Sequence, residues 1–128
     1  MPSIETKVVD ASALVALIFG EPAAETVVNR MSACNLVAPA LLDFEVANTC
    51  VSKIRRQPAR RADLLAAYKI REQIKIETME VDHAAVLVLA QRTGLTGYDA
   101  SYLLLSRTLG VELVTLDRQL AEAAEKLS

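Results

Sequence analysis

Aromatic side chains are scarce in this sequence: two Phe, three Tyr and no Trp in 128 residues. A chain so poor in rings has little with which to stack unpaired bases, which argues against a reader of single strands built on aromatic platforms. Histidine is scarcer still. With His83 alone and no Cys-x-x-Cys pair, neither a zinc site nor a nucleophile–histidine triad can be assembled. Two cysteines, Cys34 and Cys50, are too few for a disulfide-stapled scaffold and read as reduced thiols. No apolar run approaches the roughly 20 residues of a membrane span. The first residues, Met1 to Lys7, lack the basic segment and apolar stretch of a secretory leader. The expected location is therefore the cytoplasm, with no membrane partner. No Gly-x-x-x-x-Gly-Lys phosphate loop occurs. Positive charge is not in excess either: the formal net charge is -2. That argues against a protein that grips nucleic acid by charge alone, but not against one that meets phosphate through bound cations.

What the chain has in quantity is small and medium apolar side chains. The hydrophobic fraction is 52%, mostly Ala, Val and Leu, which favours helices around a core that needs no staples. The expected organisation is a single domain over residues 1–128. Lys7-Val8-Val9-Asp10 reads as the end of a buried strand, Ala11 to Phe19 as a helix, and Pro22 as the start of another that reaches Ala33. A strand is expected from Asn35 to Ala38 and a long helix from Ala40 to Arg56, with Pro39 at its favoured entry. A helix follows from Ala59 to Gln73, then a strand from Ile74 to Met79. Helices from Asp82 to Thr93 and from Tyr98 to Leu109 end at Gly94 and Gly110. A last strand, Val111 to Thr115, leads into a helix from Asp117. Strands alternating with helices or helix pairs predict an α/β sandwich with a short, mainly parallel central sheet.

Four carboxylates fall where such a sheet places ligands, beyond the carboxyl ends of its strands. Asp10 ends the first strand and Asp117 follows the last. Asp99 opens a helix, and Glu45 lies in the first two turns of the long one. Taken singly, Asp10, Asp99 and Asp117 each read as helix caps. Glu45 resists that explanation. At about 100° per residue it shares a stripe with Asn48, Thr49 and Ser52 on a helix whose remaining surface is mostly apolar, the mark of a wet cleft. Asp43 falls nearly opposite and reads as a charge near the positive helix end or as an interface residue. His83, beside Asp82 at a helix start, reads as a surface residue. Clustered carboxylates repel unless cations sit among them. An all-oxygen ligand set selects hard ions, Mg2+ or Mn2+.

The flanks of these acids carry a family resemblance. Val8-Val9-Asp10-Ala11-Ser12-Ala13-Leu14-Val15-Ala16-Leu17 resembles the opening of a PIN domain. The segment from Pro39 to Asn48, containing Phe44-Glu45-Val46, resembles its second acidic motif. Tyr98-Asp99-Ala100-Ser101-Tyr102-Leu103 resembles the third, and Thr115-Leu116-Asp117-Arg118-Gln119-Leu120 the fourth. The set spans essentially the whole chain in the right order. The compact length and the Tyr-Asp-Ala form of the third motif look most like the VapC toxins of type II toxin–antitoxin pairs. The resemblance implies a three-layer α/β/α sandwich, Mg2+- or Mn2+-dependent endoribonuclease activity, homodimers and inhibition by a VapB-type antitoxin. It also implies an acidic quartet of Asp10, Glu45, Asp99 and Asp117, the catalytic and metal-binding residues. Ser12, Asn48 and Thr115 match supporting positions.

Within that frame, Asp10 and Asp99 are expected to be the most direct ligands, with metal-activated water attacking an RNA phosphodiester. Lys53, Arg55, Arg56, Arg60 and Arg61 form a basic cluster across a helix break. It reads either as a solvated surface or as contacts to RNA phosphates. An antitoxin would need exposed apolar surface. The candidates are Leu14, Leu17, Ile18 and Val28 on the first two helices, and Phe44 and Val51 on the long one. Other chemistries on similar sheets fit less well. A haloacid-dehalogenase-type phosphatase needs an acid where Ser12 stands, and a receiver domain needs a paired acid and a Lys after a later strand.

Overall fold

The computed structural model describes residues 4–127. Four strands form one sheet in the order β3-β2-β1-β4, all parallel: β1 is Thr6–Val9, β2 Asn35–Pro39, β3 Glu77–Met79 and β4 Glu112–Val114. The helices of the described residues are α1 Ala11–Ile18, α2 Ala24–Met31, α3 Leu42–Arg56, α4 Arg61–Tyr68, α5 His83–Thr93, α6 Gly97–Leu109 and α7 Arg118–Lys126. Parallel connections are right-handed as a rule, which puts the helices between β1 and β3 on one face of the sheet. Because the chain then reverses across the sheet, α5 and α6 lie on the other face. The result is an α/β sandwich, as the alternation of elements predicts.

β1 is the hinge of this topology. From it the chain steps outward through β2 to β3, then returns to β1's other side with β4. Strand order therefore reverses between β1 and β4, the place where open parallel sheets leave a crevice at their carboxyl edge. Register fixes which residues meet there. Val9 lies opposite Val114, and the Asp10 N–H continues the ladder by donating to the Val114 carbonyl at 3.1 Å. Asp10 and Thr115, each one residue beyond its strand, are thereby held side by side.

The core is built from the residues that the strand and helix patterns point inward. Val8 and Val9 of β1 and Val114 of β4 are fully buried, as are Leu14 of α1, Leu42 of α3, Leu103 of α6 and Leu120 of α7. α6 packs directly on β1 and β2, so its apolar face meets the most buried strands. Gly110, at φ 67°, ends α6 in the left-handed region and turns the chain into β4.

Differences from the expected elements lie at boundaries. Pro39 is the last residue of β2 rather than the first of α3. Its missing N–H costs nothing at a strand end, and α3 starts at Leu42. The helix expected over 59–73 is α4 flanked by two 3-10 turns, Pro58–Arg60 and Lys69–Gln73. The expected strand from Ile74 shortens to Glu77–Met79, where pairing with β2 begins. Cys34 and Cys50 are free thiols. Among the described residues no helix is long and apolar enough to cross a membrane.

Leu14 has no accessible surface, so its truncation leaves a void between α1 and the sheet. Leu14→Ala is expected to cost about 3 kcal/mol of unfolding free energy, measured by urea denaturation.

Candidate active site

Asp10 is the most enclosed of the four acids, at 4% exposure. It is the N-cap of α1: Oδ1 accepts from the Ala13 N–H at 3.0 Å and from the Ser12 hydroxyl at 2.7 Å. Oδ2 accepts from the Thr115 hydroxyl at 2.5 Å. Thr115 Oγ1 in turn accepts from the Asp117 N–H at 3.0 Å, and Ser12 Oγ from the Leu116 N–H at 2.9 Å. The Ser12 and Thr115 hydroxyls lie 3.3 Å apart. These bonds clamp the ends of β1 and β4 together and fix Asp10's orientation. Burial pushes the Asp10 carboxyl above the ordinary carboxylate value. The bonds from Thr115, Ala13 and Ser12 pull the other way, and the charge of Asp117 adds to the rise.

The other three acids surround this one. Asp117 caps α7, with Oδ1 accepting from the Leu120 N–H at 2.9 Å. Asp99 is not a cap. Thr96 caps α6 by accepting from the Asp99 N–H at 3.1 Å, and the Asp99 carboxylate takes no hydrogen bond from the described residues. Its carboxyl is raised by burial and then by the charges of Asp117 and Asp10. Glu45, from α3 on the opposite face, accepts from the Tyr102 hydroxyl at 2.5 Å. Burial raises it, the Tyr102 bond opposes that rise, and the charges of Asp99 and Asp10 add to it. The charge of Asp10 thus reaches Glu45 and Asp99, that of Asp99 reaches Glu45, and that of Asp117 reaches Asp10 and Asp99, although the four come from widely separated parts of the chain. None of the four takes part in an ion pair among the described residues.

The other residues singled out from sequence distribute differently. Asn48 is exposed and makes no hydrogen bond to the four acids. Thr49 spends its hydroxyl on the Glu45 backbone carbonyl, at 3.0 Å. Asp43 points away and pairs with Arg71, Oδ1 to Nε at 2.7 Å. His83 is exposed in the first turn of α5, behind the Asp82 cap. Lys53, Arg55 and Arg56 occupy the far end of α3. Arg56 is 11 residues from Glu45, or about 16 Å along the helix. Lys53 pairs with Glu21 at 3.1 Å and lies 5.1 Å above the Phe19 ring. A cavity of about 910 Å3 opens along the outer edge of β4, lined by Arg30, Arg107 and α7 side chains. It meets the acid cluster only at Thr115.

Tyr102 is the site residue that the sequence pattern does not assign. Its signal is the spacing: Asp99 and Tyr102 stand at i and i+3, on one face of α6.

The donor set facing the cleft is oxygen only, which suits a hard divalent cation and not zinc. Carboxyls held above their ordinary values by burial and by one another mark a site with surplus negative charge, which such a cation relieves. Among the described residues no three His, Cys, Asp or Glu side chains are drawn together to ligand distance. The acids face each other across the cleft while several of their oxygens engage protein donors.

Residues 7–126 match the PIN domain family. The chain is 35% identical over 120 residues to Ribonuclease VapC3 of Pyrobaculum aerophilum, an alignment that covers 90% of this chain and 92% of that protein. Among solved structures, PAE2754 from Pyrobaculum aerophilum superposes with a TM-score of 0.75 at 27% identity, covering 97% of this chain and 92% of the other. VapC20 of Mycobacterium tuberculosis, described as a sarcin–ricin loop cleaving toxin, shares the fold with a TM-score of 0.63 at 19% identity, over 91% of this chain and 94% of that one. The chain belongs to the PIN domain family. Within that family its similarity runs to the VapC type.

Asp99 carries the cluster's repulsion without a hydrogen bond to lose, so Asp99→Asn is expected to stabilise the metal-free protein. The gain is on the order of 0.5 kcal/mol, the size of a partly screened charge pair. Its sign follows from linkage. A carboxyl raised in the folded state binds its proton more tightly there than in the unfolded chain, so ionising it erodes stability as pH rises. The difference in melting temperature between Asp99→Asn and wild type should be small below about pH 3, where both states are protonated. It should grow to its full size as pH rises through the raised folded value.

Proposed function

We propose that this chain is the toxin of a VapBC-like type II toxin–antitoxin pair, acting as a Mg2+- or Mn2+-dependent endoribonuclease. The observation that carries this reading is the convergence of Asp10, Glu45, Asp99 and Asp117 on one cleft, with none of them paired to a cationic side chain among the described residues. The similarity to a protein named ribonuclease supports it.

A divalent ion held by Asp10, Glu45, Asp99 and Asp117 would supply a water of lowered pKa for attack on an RNA phosphodiester and would offset charge on the phosphate oxygens. The chain's own part is to hold the donors. Ser12, the Ala13 N–H and Thr115 fix both oxygens of Asp10, Oδ1 through two bonds and Oδ2 through one. Asp117 has one oxygen committed to its cap. Asp99 has both oxygens uncommitted and is the acid best able to grip a cation with two. Asp99 is therefore the leading ligand, with Asp10 the rigid post beside it.

RNA is the substrate class, and the basic residues Lys53, Arg55, Arg56, Arg60 and Arg61 serve as phosphate contacts for a strand running along α3, away from the cut. A VapB-type antitoxin would need apolar surface. Phe44, 80% exposed, with Val51 and Val28 supplies it, whereas Leu14 and Ile18 are core. A homodimer and cytoplasmic action complete the reading.

Asp99→Asn is the cleanest test. Cleavage of RNA should fall to background while the protein melts no lower than wild type, and EDTA should abolish wild-type cleavage. Wild-type rates from the folded variant would refute the assignment. For the basic cluster, Arg56→Glu with Arg60→Glu should weaken RNA binding. The slope of log K against log salt should flatten by about 0.7 for each phosphate that is no longer neutralised. An unchanged slope would make the cluster a solvated surface.

A further inference from the structure

We infer that Tyr102 is a positioning residue that holds Glu45 in the cleft so that a single carboxylate oxygen, Oε2, is left for a divalent cation. The inference rests on the nuclease reading above and assigns a role that the acidic motifs do not contain.

Tyr102 is buried to 1% exposure at the heart of α6. Were volume all that the core required there, Phe would fill the same space and ask for no partner. A buried tyrosine hydroxyl must find an acceptor. The one it finds is not a nearby backbone carbonyl but Glu45 Oε1, at 2.5 Å and 57 residues away. The two side chains come from opposite faces of the sheet, Glu45 from α3 and Tyr102 from α6. Their bond ties α3 to α6.

The geometry also explains the pairing on α6. Asp99 and Tyr102 are one turn apart on the same face. Asp99 presents its carboxylate to the cleft directly, and Tyr102 reaches past it to the acid on the facing helix. One helical turn thus sets two of the four acids. Glu45 needs this help more than the others. Asp10 and Asp117 are tied down by backbone N–H groups at helix starts. Glu45 has a longer side chain inside a helix, with no backbone donor and repelling acids across the cleft. Without Tyr102 it would be free to swing toward solvent. With Oε1 committed, only Oε2 has no protein partner among the described residues. Outer partners of this kind orient metal ligands, and their loss commonly weakens metal binding about 10-fold or more.

The test is Mn2+ binding to the whole chain, followed by electron paramagnetic resonance, for wild type, Tyr102→Phe, Glu45→Gln and the double variant. Tyr102→Phe keeps the ring, so circular dichroism and melting should show a folded core. Its Mn2+ dissociation constant is expected to rise about 10-fold. For RNA cleavage at fixed Mn2+, kcat should fall with KM for RNA little changed. In the Glu45→Gln background the same change should add no further loss of Mn2+ affinity, because the hydroxyl acts through Glu45. Wild-type affinity in folded Tyr102→Phe would overturn the inference, as would an equal loss in the Glu45→Gln background.

Should Tyr102→Phe not fold, Glu45→Ala leaves the tyrosine in place. Its downfield, slowly exchanging hydroxyl proton in NMR spectra is then expected to vanish, and its persistence would overturn the pairing. The two readings fail differently. A wild-type chain that neither binds Mn2+ nor cleaves RNA removes the nuclease reading and this one with it. A wild-type chain that does both, matched by Tyr102→Phe, removes only the role of Tyr102.

Discussion

The clamp on Asp10 is the interaction on which the rest of the cleft depends. A carboxylate enclosed to this degree is tolerated only with its oxygens satisfied. Here the satisfaction comes from both sides of the sheet's switch point: from Ser12 and the α1 start after β1, and from Thr115 after β4. The same bonds that make a buried acid tolerable splice β1 and β4 beyond their last ladder pair. Asp117 is two residues from Thr115, so the clamp sets its position as well. The site is therefore part of how the sheet ends, not an addition to a finished fold.

Around that fixed point the acids are arranged in order of restraint. Asp10 is held through both oxygens, Asp117 through one, Glu45 through a tyrosine from the facing layer, and Asp99 by none. The gradient has a chemical reading. A cation site benefits from one rigid corner and one adaptable ligand, because the rigid part fixes where the ion sits and the free carboxylate adjusts to its coordination. Repulsion within the set is the cost of that design. A divalent ion held among the acids would relieve it. The basic residues take no part in this balance, since those of α3 lie at its far end and Lys53 is occupied with Glu21 and Phe19.

Much of this is legible from the amino acids, for reasons that differ by residue. Asp10 and Asp117 are readable because short buried strands announce their ends, and an acid one or two residues beyond a parallel strand has only one rim to face. Glu45 is readable because a carboxylate on a polar stripe of an otherwise apolar helix has no use for burial. The opposition between helix cap and cleft acid is false for Asp10 and Asp117, which cap their helices and line the cleft together. Asp99, which the sequence also offers as a cap, leaves that work to Thr96. Asn48 shares the stripe but is turned to solvent, since a stripe of several residues is wider than the cleft. Tyr102 stays hidden because a buried aromatic on a helix looks like core until the partner across the sheet is known. The 3-10 turns around α4 are equally invisible, because the helical pattern over 59–73 carries no glycine to mark its breaks.

The metal site proposed on these four carboxylates is open to direct observation. Crystals grown with Mn2+ and measured for its anomalous scattering would test it. The expected result is one or two anomalous peaks bounded by Asp10, Glu45, Asp99 and Asp117, with Asp99 contributing the closest oxygens. Saturable Mn2+ binding with its peaks elsewhere, or a cleft that stays free of metal at millimolar Mn2+, would contradict it.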